Sequence, residues 1–153
     1  MYEMIVKRLI ERNYHISFAE SCTGGLAAAA LVSVADASKV LDVSFVTYAD
    51  LAKVKYLGVQ QETIDEYGVV SEEVAAQMAG GVAAESGAEV GVGITGVAGP
   101  GGGTDKKPVG RVCFGFCVDG QTCTYTCQFG DIGRNEVRQK SVEFVYSRLS
   151  QML

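Results

Sequence analysis

The spacing of apolar residues along the chain predicts five helices. Near the amino terminus, apolar side chains at positions 5, 6, 9 and 10 are interspersed with charged ones, which is the period of an amphipathic helix. Four further segments have helical composition or spacing, so the predicted helices span 1–13, 24–34, 50–57, 71–86 and 136–149. Gly58 is expected to end the third helix, and Ser71 is expected to cap the start of the fourth.

Short apolar runs between these helices predict the strands. They span 16–19, 43–48, 90–95, 112–118 and 122–128, and the last two are expected to form a hairpin through Asp119-Gly120. Strands that alternate with helices and end in a hairpin indicate an α/β fold. We predict a three-layer sandwich with a mixed sheet, helices on both faces, and a C-terminal β-hairpin followed by a helix. Residues 1–153 are expected to form a single domain.

The composition and net charge of the chain argue against two classes of binding partner, membranes and nucleic acids. With 48% hydrophobic and 20% charged residues, the chain has the composition of an ordinary globular protein. Its longest apolar run, 26–32, is far shorter than the roughly 20 residues that cross a membrane, so we expect no membrane partner and a cytoplasmic location. The net charge is −5 and no basic cluster exceeds Lys106-Lys107, so nucleic acid is not an expected partner.

The spacing of four of the five cysteines is reminiscent of a zinc site. They occur as Cys113-x3-Cys117 and Cys123-x3-Cys127. In the predicted hairpin, however, the first pair lies on one face and the second pair on the other, so the four thiols do not converge. We therefore expect no metal and no other cofactor, and interpret the cysteines as small apolar residues.

Three predicted strands end in residues of the types that are common in catalytic and ligand-binding sites. The first ends in ESCTGG at 20–25, the second in Thr47-Tyr48 ahead of Lys53, and the third in Thr95-Gly96 ahead of a glycine-rich loop. In α/β sheets, ligands bind beyond the carboxyl ends of the parallel strands, where backbone N–H groups point at them. These residues are therefore predicted to meet in one cleft.

Ser21 and Lys53 are the candidate nucleophile and base. A serine just before a helix has backbone N–H groups nearby that stabilise an oxyanion, and a lysine that loses its proton can activate it. The only histidine, His15, precedes the first strand and should lie at the opposite end from Ser21, so a Ser-His-Asp triad is not expected. The structural alternatives are a helix cap for Ser21, a solvated position for Lys53 and a core position for Tyr48.

Five motifs occur in order between about residues 4 and 150: AESCTGG, FVTYADLAKVKYLGV, GVVSEEVAAQMAGG, ITGVAGPGGGTDKKPVG and GDIGRNEVRQ. Together they resemble the CinA C-terminal domain family, the nicotinamide-nucleotide amidohydrolases also called NMN deamidases or PncC. The resemblance implies metal-free hydrolysis of nicotinamide mononucleotide (NMN) to nicotinate mononucleotide and ammonia. It also implies that Ser21 is the nucleophile, that Lys53 is its base and that Tyr48 assists them.

The same resemblance implies a set of substrate-binding residues. An arginine after the "GD" dipeptide would hold the phosphate, and Arg134 and Arg138 are alternatives because GDIGR is longer than the family's usual GDR. The implied substrate-binding residues are Thr23, Gly24, Thr95, Gly96, Gly99, Arg134 and Arg138.

Three segments depart from the family pattern, one of them at Ser44, where the family usually has a glycine before FVTY. The usual PGSS turn is ADAS at 35–38, and the usual YSN is Tyr48-Ala49-Asp50. A carboxylate at Asp50, three residues before Lys53, would favour the charged ammonium and oppose its role as a base, although Asp50 would also suit a helix cap.

Other functions and assemblies remain open at this point. One alternative is a non-catalytic nucleotide-binding or scaffold module of the same fold. Another is an NAD-dependent oxidoreductase, but Gly91-x-Gly93-x-x-Gly96 lies within a strand and lacks the following helix of the dinucleotide motif. Edge strands and the small residues Ala79-Gly80-Gly81 favour a homo-oligomer, with a dimer the expected form.

Overall fold

The structure is a computed structural model that describes residues 1–153. In chain order its elements are α1 (Tyr2–Arg12), β1 (Ile16–Glu20), α2 (Leu26–Val32), a 3-10 helix (Ala37–Lys39), β2 (Phe45–Val46), α3 (Asp50–Leu57), α4 (Gln61–Tyr67), α5 (Glu72–Ser86), β3 (Val90–Gly96), β4 (Arg111–Val118), β5 (Gln121–Gln128) and α6 (Arg134–Met152). The predicted α/β architecture is confirmed, including the hairpin and the helix that follows it.

The five strands form one mixed sheet in the order β2-β1-β3-β4-β5. Strand β1 runs parallel to both β2 and β3, whereas β3, β4 and β5 are antiparallel neighbours. Helices α1, α2 and α6 bury the larger apolar core against one face, and α5 covers the other face with α3 and α4 beside it. The carboxyl ends of β1, β2 and β3 therefore meet at one edge of the sheet.

The hairpin has the predicted register. Cys113 pairs with Thr126 and Cys117 pairs with Thr122. The turn residues Asp119 and Gly120 have φ angles of 51° and 81°, as a two-residue turn with both residues in the left-handed region requires. Because side chains alternate along a strand, Cys123 and Cys127 project from the opposite face to the first two cysteines.

The glycines of the apparent dinucleotide motif serve helix packing. A Cβ atom added at Gly91 would lie 2.2 Å from the Ala79 carbonyl oxygen, and one added at Gly93 would lie 2.5 Å from the Ala75 carbonyl oxygen. Helix α5 therefore rests directly on the backbone of β3, which only glycine permits. This packing accounts for the spacing of Gly91 and Gly93 without a nucleotide.

Two predicted elements differ from the structure. The strand expected over 43–48 is reduced to Phe45–Val46, because the Ser44 hydroxyl accepts the Phe18 amide proton (3.0 Å) in place of a backbone carbonyl. Helix α4 was not predicted, since it has one buried residue, Thr63, and therefore no apolar stripe. Helix α4 is held in place by a contact with α5, in which Gln77 donates to the Thr63 hydroxyl at 2.8 Å.

The small residues Ala79-Gly80-Gly81 do not form the free surface expected from the sequence. Ala79 is fully buried, and a Cβ atom added at Gly81 would lie 1.9 Å from the Leu57 carbonyl oxygen. These residues let α3 and α5 approach closely within the chain, so they do not support an oligomer, and the dimer stays a prediction. None of the helices is long and apolar enough to cross a membrane.

Candidate active site

A cavity of about 290 Å³ lies at the carboxyl ends of the parallel strands. Seven of the ten residues predicted for the site line it: Ser21, Tyr48, Lys53, Thr95, Gly96, Gly99 and Arg134. Its volume is at the lower end of the range of about 300–1,000 Å³ that small-molecule sites occupy. The predicted cleft therefore exists, and most of the residues assigned to it are in it.

Ser21 and Lys53 are in hydrogen-bond contact in this cavity. The Lys53 Nζ atom lies 3.2 Å from Ser21 Oγ and donates to the Thr47 carbonyl oxygen at 2.8 Å. Lys53 is only 1% exposed. Its burial lowers the pKa of the amine below the ordinary lysine value, while the negative charge of Asp50 opposes part of that shift. A lysine with a lowered pKa next to a serine hydroxyl has both the geometry and the charge that a general base requires.

The structure excludes the structural alternatives for these residues. Helix α2 begins after Gly25, which is its N-cap residue, so Ser21 is not its N-cap. Lys53 shares the buried side of α3 with Leu57, one turn later, rather than a solvated face. Tyr48 is 59% exposed and is not a core residue.

A buried glutamate and a half-buried arginine hold the Ser21 turn from both sides. The Glu20 carboxylate accepts the amide protons of Ala27 (2.9 Å) and Ala28 (3.0 Å) at the start of α2. From α6, Arg138 donates to the carbonyl oxygens of Cys22 (3.0 Å) and Thr23 (3.2 Å). The turn is thereby fixed by groups that do not enter the cavity.

Two amides that follow Ser21 lack a hydrogen-bond partner, and that of Cys22, which lines the cavity, is free to bind an anion. The N–H groups of Cys22 and Thr23 donate no hydrogen bond to any atom of the chain, although Thr23 is fully buried and Cys22 is 5% exposed. Unpaired amides beside a nucleophile are the donors that an oxyanion requires.

A second set of free donors lies on the glycine-rich loop and on α6. The N–H groups of Ala98, Gly99, Gly101 and Gly102, which line the cavity, donate no hydrogen bond within the chain. Beside them, Arg134 donates to the Gly99 carbonyl oxygen and to the Tyr48 hydroxyl, both at 2.7 Å. No carboxylate pairs with Arg134, so its positive charge is available to an anion such as a phosphate.

Three predicted substrate-binding residues do not line the cavity. These are Thr23, Gly24 and Arg138. The guanidinium of Arg138 is occupied by the carbonyl groups of the Ser21 turn and by the Asn135 side chain. Of the two arginines left as alternatives by the sequence, Arg134 is therefore the one in position to contact a ligand.

Several residues of the cavity were missed by the sequence reasoning. They are Val69, Val70, Val97 and Ala98. Val69 comes from the segment before α5, and its carbonyl oxygen accepts the Thr95 hydroxyl proton at 3.0 Å. Only the tertiary fold brings this segment to the strand ends, whereas the spacing of three residues between Asp50 and Lys53 already indicated from the sequence that Asp50 acts on the site.

His15 lies away from the site, as the sequence predicts. It precedes β1 at the amino end of that strand, and its Nδ1 atom is 2.8 Å from the Asp42 carboxylate. A histidine-based triad is therefore excluded by the fold.

We predict that Cys22→Ser retains most of the activity of the wild-type chain, within about threefold, because a packing residue is replaced by one of similar size. Burial raises the pKa of Cys22 to about 11, so the thiol is protonated at neutral pH and is a poor nucleophile. Steady-state rates of the two proteins test this. An inactive Cys22→Ser protein of unchanged thermal stability would move the nucleophile from Ser21 to Cys22.

The fold and the cavity together define an α/β protein with a serine and a buried lysine in contact at the carboxyl edge of its parallel strands. The chain belongs to the CinA family, because the profile described as the CinA C-terminal domain matches residues 1–153. A CinA-like protein of Kosmotoga olearia is 46% identical over 142 residues, which cover 93% of this chain and 34% of that protein. The chain spans about a third of the length of the curated relatives it matches.

Solved structures of the same superfamily have the same fold. Competence/damage inducible protein CihA from Agrobacterium tumefaciens is 41% identical, with a TM-score of 0.88 over 99% of this chain and 93% of that one. Competence damage-inducible protein A (ComA) from Klebsiella pneumoniae is 37% identical, with a TM-score of 0.94 over 98% of this chain and 92% of that one. These relatives support the family and the fold and do not name a reaction.

Proposed function

We propose that the chain is an amidohydrolase that converts nicotinamide mononucleotide to nicotinate mononucleotide and ammonia through a serine–lysine mechanism. The observation that carries this proposal is the contact of 3.2 Å between Ser21 Oγ and the buried amine of Lys53. The motif resemblance to nicotinamide-nucleotide amidohydrolases supplies the substrate, and the cavity supplies donors for its phosphate.

The reaction proceeds in two halves. Neutral Lys53 accepts the Ser21 hydroxyl proton while Oγ forms a bond to the carboxamide carbon, and the free amide of Cys22, which lines the cavity, stabilises the oxyanion. When the C–N bond breaks, the Lys53 ammonium gives its proton to the departing nitrogen, which leaves as ammonia. Water then attacks the resulting ester with Lys53 again as the base, releasing the carboxylic acid and restoring the Ser21 hydroxyl.

The remaining parts of the cavity suit a pyridine mononucleotide. Arg134 and the free loop amides would hold the phosphate, since oriented N–H groups and a guanidinium favour that anion. The cationic pyridinium ring withdraws electrons from its carboxamide, which makes the carbonyl carbon easier to attack. Every step uses side chains and amides of the chain itself, so the proposed reaction requires no cofactor.

We predict that Asp50→Asn shifts the rising limb of the pH–rate profile to lower pH. The rate should rise as Lys53 loses its proton, and Asp50 holds the pKa of Lys53 up by stabilising the ammonium. The other titratable group acting on Lys53 is Cys22, which stays protonated at neutral pH. Because the Asp50 carboxylate is exposed, the shift should be at most about one pH unit.

This prediction is tested by measuring kcat/KM against pH for both proteins. A limb that stays in place would show that Asp50 does not act on the base. A limb that moves to higher pH would contradict the assignment of Lys53 as the base, since loss of a nearby negative charge can only favour the neutral amine.

The proposed function is tested by incubating the purified chain with nicotinamide mononucleotide and assaying ammonia. Catalytic release of ammonia supports an amidohydrolase. Binding of the nucleotide without ammonia release would instead indicate the non-catalytic nucleotide-binding module considered above.

A further inference from the structure

Asp50 places a negatively charged side chain with no hydrogen-bond or ion-pair partner in the cavity. It lines the same cavity as Ser21 and Lys53, and it makes no side-chain hydrogen bond and no ion pair within the chain. It does not cap its own helix, because the N-cap position of α3 is Ala49. In the first turn of α3 its charge favours the helix dipole, but no group of the chain binds the carboxylate itself.

Asp50 lies close along α3 to the residue that contacts Ser21, so its charge acts where the substrate reacts. Asp50 and Lys53 are three residues apart on α3, so they lie on one side of that helix, and the charge of Asp50 acts on the Lys53 amine. Lys53 in turn contacts Ser21, the residue that must meet the carboxamide. The groups that favour an anion lie on other elements, the loop at 98–102 and the start of α6.

We propose that Asp50 recognises the positive charge of the substrate ring and so makes the site selective for a quaternary pyridinium amide over a neutral aromatic amide. The inference rests on the proposed function, since it concerns the substrate of the same site. Of the two charged parts of a pyridine mononucleotide, the phosphate is repelled by Asp50 and the pyridinium is attracted. The ring also carries the carboxamide, so a ligand bound with its pyridinium near the Asp50 carboxylate has its amide directed toward Ser21.

A neutral ring in the same place would leave the Asp50 carboxylate without a partner while the ligand removes water from it. Such an unpaired charge costs free energy, which is how a site rejects a ligand of the right shape but the wrong charge. Asp50 is thus a specificity-determining residue, distinct from the nucleophile and the base.

The test compares two ligands that differ at one ring atom. They are nicotinamide mononucleotide and its benzamide analogue, in which a neutral carbon replaces the cationic ring nitrogen. Dissociation constants are measured by calorimetry with Ser21→Ala protein, which removes the nucleophile, and with Ser21→Ala/Asp50→Asn protein. The phosphate is common to both ligands, so changes in its binding cancel in the ratio of the two constants.

The preference for the cationic ligand should fall by about fivefold when Asp50 is replaced, which corresponds to one solvent-screened charge pair. It should also weaken as salt is added. Asp65→Asn in the same Ser21→Ala background is the matched control, because it removes one negative charge from α4 outside the cavity and should leave the ratio unchanged.

An unchanged ratio in the Asp50 variant overturns the inference, as does an equal fall in the Asp65 control. Hydrolysis of nicotinamide mononucleotide by the wild-type chain is measured in parallel. Absence of hydrolysis would overturn the proposed function alone, since the ligand ratio reports recognition of ring charge whether or not the amide is cleaved.

Discussion

Ser21→Ala is expected to lower kcat/KM for nicotinamide mononucleotide by at least about 10³-fold, because losing the nucleophile removes the covalent step that positioning alone cannot replace. The fold should be unaffected. Ser21 Oγ contacts only the Lys53 amine, whose other hydrogen bond, to the Thr47 carbonyl oxygen, remains. The measurement is steady-state ammonia release, with the thermal midpoint of both proteins as a check on folding.

Ser33→Ala is a suitable control for this experiment. Ser33 is an exposed serine that follows α2, and its hydroxyl donates only to the Ala30 carbonyl oxygen, at 2.6 Å. It should keep wild-type activity. Turnover by Ser21→Ala within tenfold of wild type would mean that Ser21 is not the nucleophile.

Lys53→Met is expected to lower kcat/KM by about 10²–10⁴-fold, the usual contribution of a general base. Methionine keeps most of the length of the lysine side chain, so it fills the same buried space without an amine. Lys55→Met is the matched control, since Lys55 is exposed on the same helix. Lys53→Met protein with wild-type activity would show that another group accepts the Ser21 proton.

The stability of Lys53→Met separates a catalytic role from a structural one. Burial lowers the folded-state pKa of Lys53 below its ordinary value of 10.5, so the unfolded chain binds the proton more tightly than the folded chain. Burying the charged lysine therefore destabilises the wild-type fold most at pH below the folded pKa, and this effect disappears as the pH rises to 10.5. Loss of the hydrogen bond to Thr47 opposes the gain from removing the charge.

Denaturant unfolding at several pH values measures this balance. Relative to wild type, Lys53→Met should be most stable at neutral pH and should lose that advantage toward pH 10.5. A relative stability that instead rises with pH would contradict the lowered pKa of Lys53. A protein that loses activity while it keeps or gains stability identifies Lys53 as a functional residue rather than a packing one.

Local patterns were sufficient to predict much of the fold. The bounds of α3 follow from its spacing and from Gly58, and the hairpin register follows from a turn that only residues such as Asp119-Gly120 form readily. Elements that depend on tertiary contacts were not predictable in this way. Helix α4 is held by contacts with α5 such as the hydrogen bond from Gln77, and β2 is shortened by the Ser44 hydroxyl.

The site residues likewise fall into those predictable from local sequence and those that depend on tertiary packing. Ser21, Thr95 and the glycine-rich loop sit at strand ends, so their convergence follows from the topology of a parallel sheet. The two arginines near the start of α6 could not be told apart from sequence spacing, because their roles depend on how α6 packs over the Ser21 turn. In the structure, Arg138 is bound to that turn, while Arg134 contacts Gly99 and Tyr48 at the cavity.

The most direct test of the proposed activity is a product analysis of nicotinamide mononucleotide incubated with wild-type and Ser21→Ala protein. Chromatography separates nicotinate mononucleotide, the product of amide hydrolysis, from free nicotinamide, the product of cleavage at the ribose, while ammonia is assayed in the same sample. The account predicts that wild-type protein forms nicotinate mononucleotide and ammonia in equal amounts and that Ser21→Ala forms neither. Free nicotinamide without ammonia, or equal ammonia from both proteins, would contradict it.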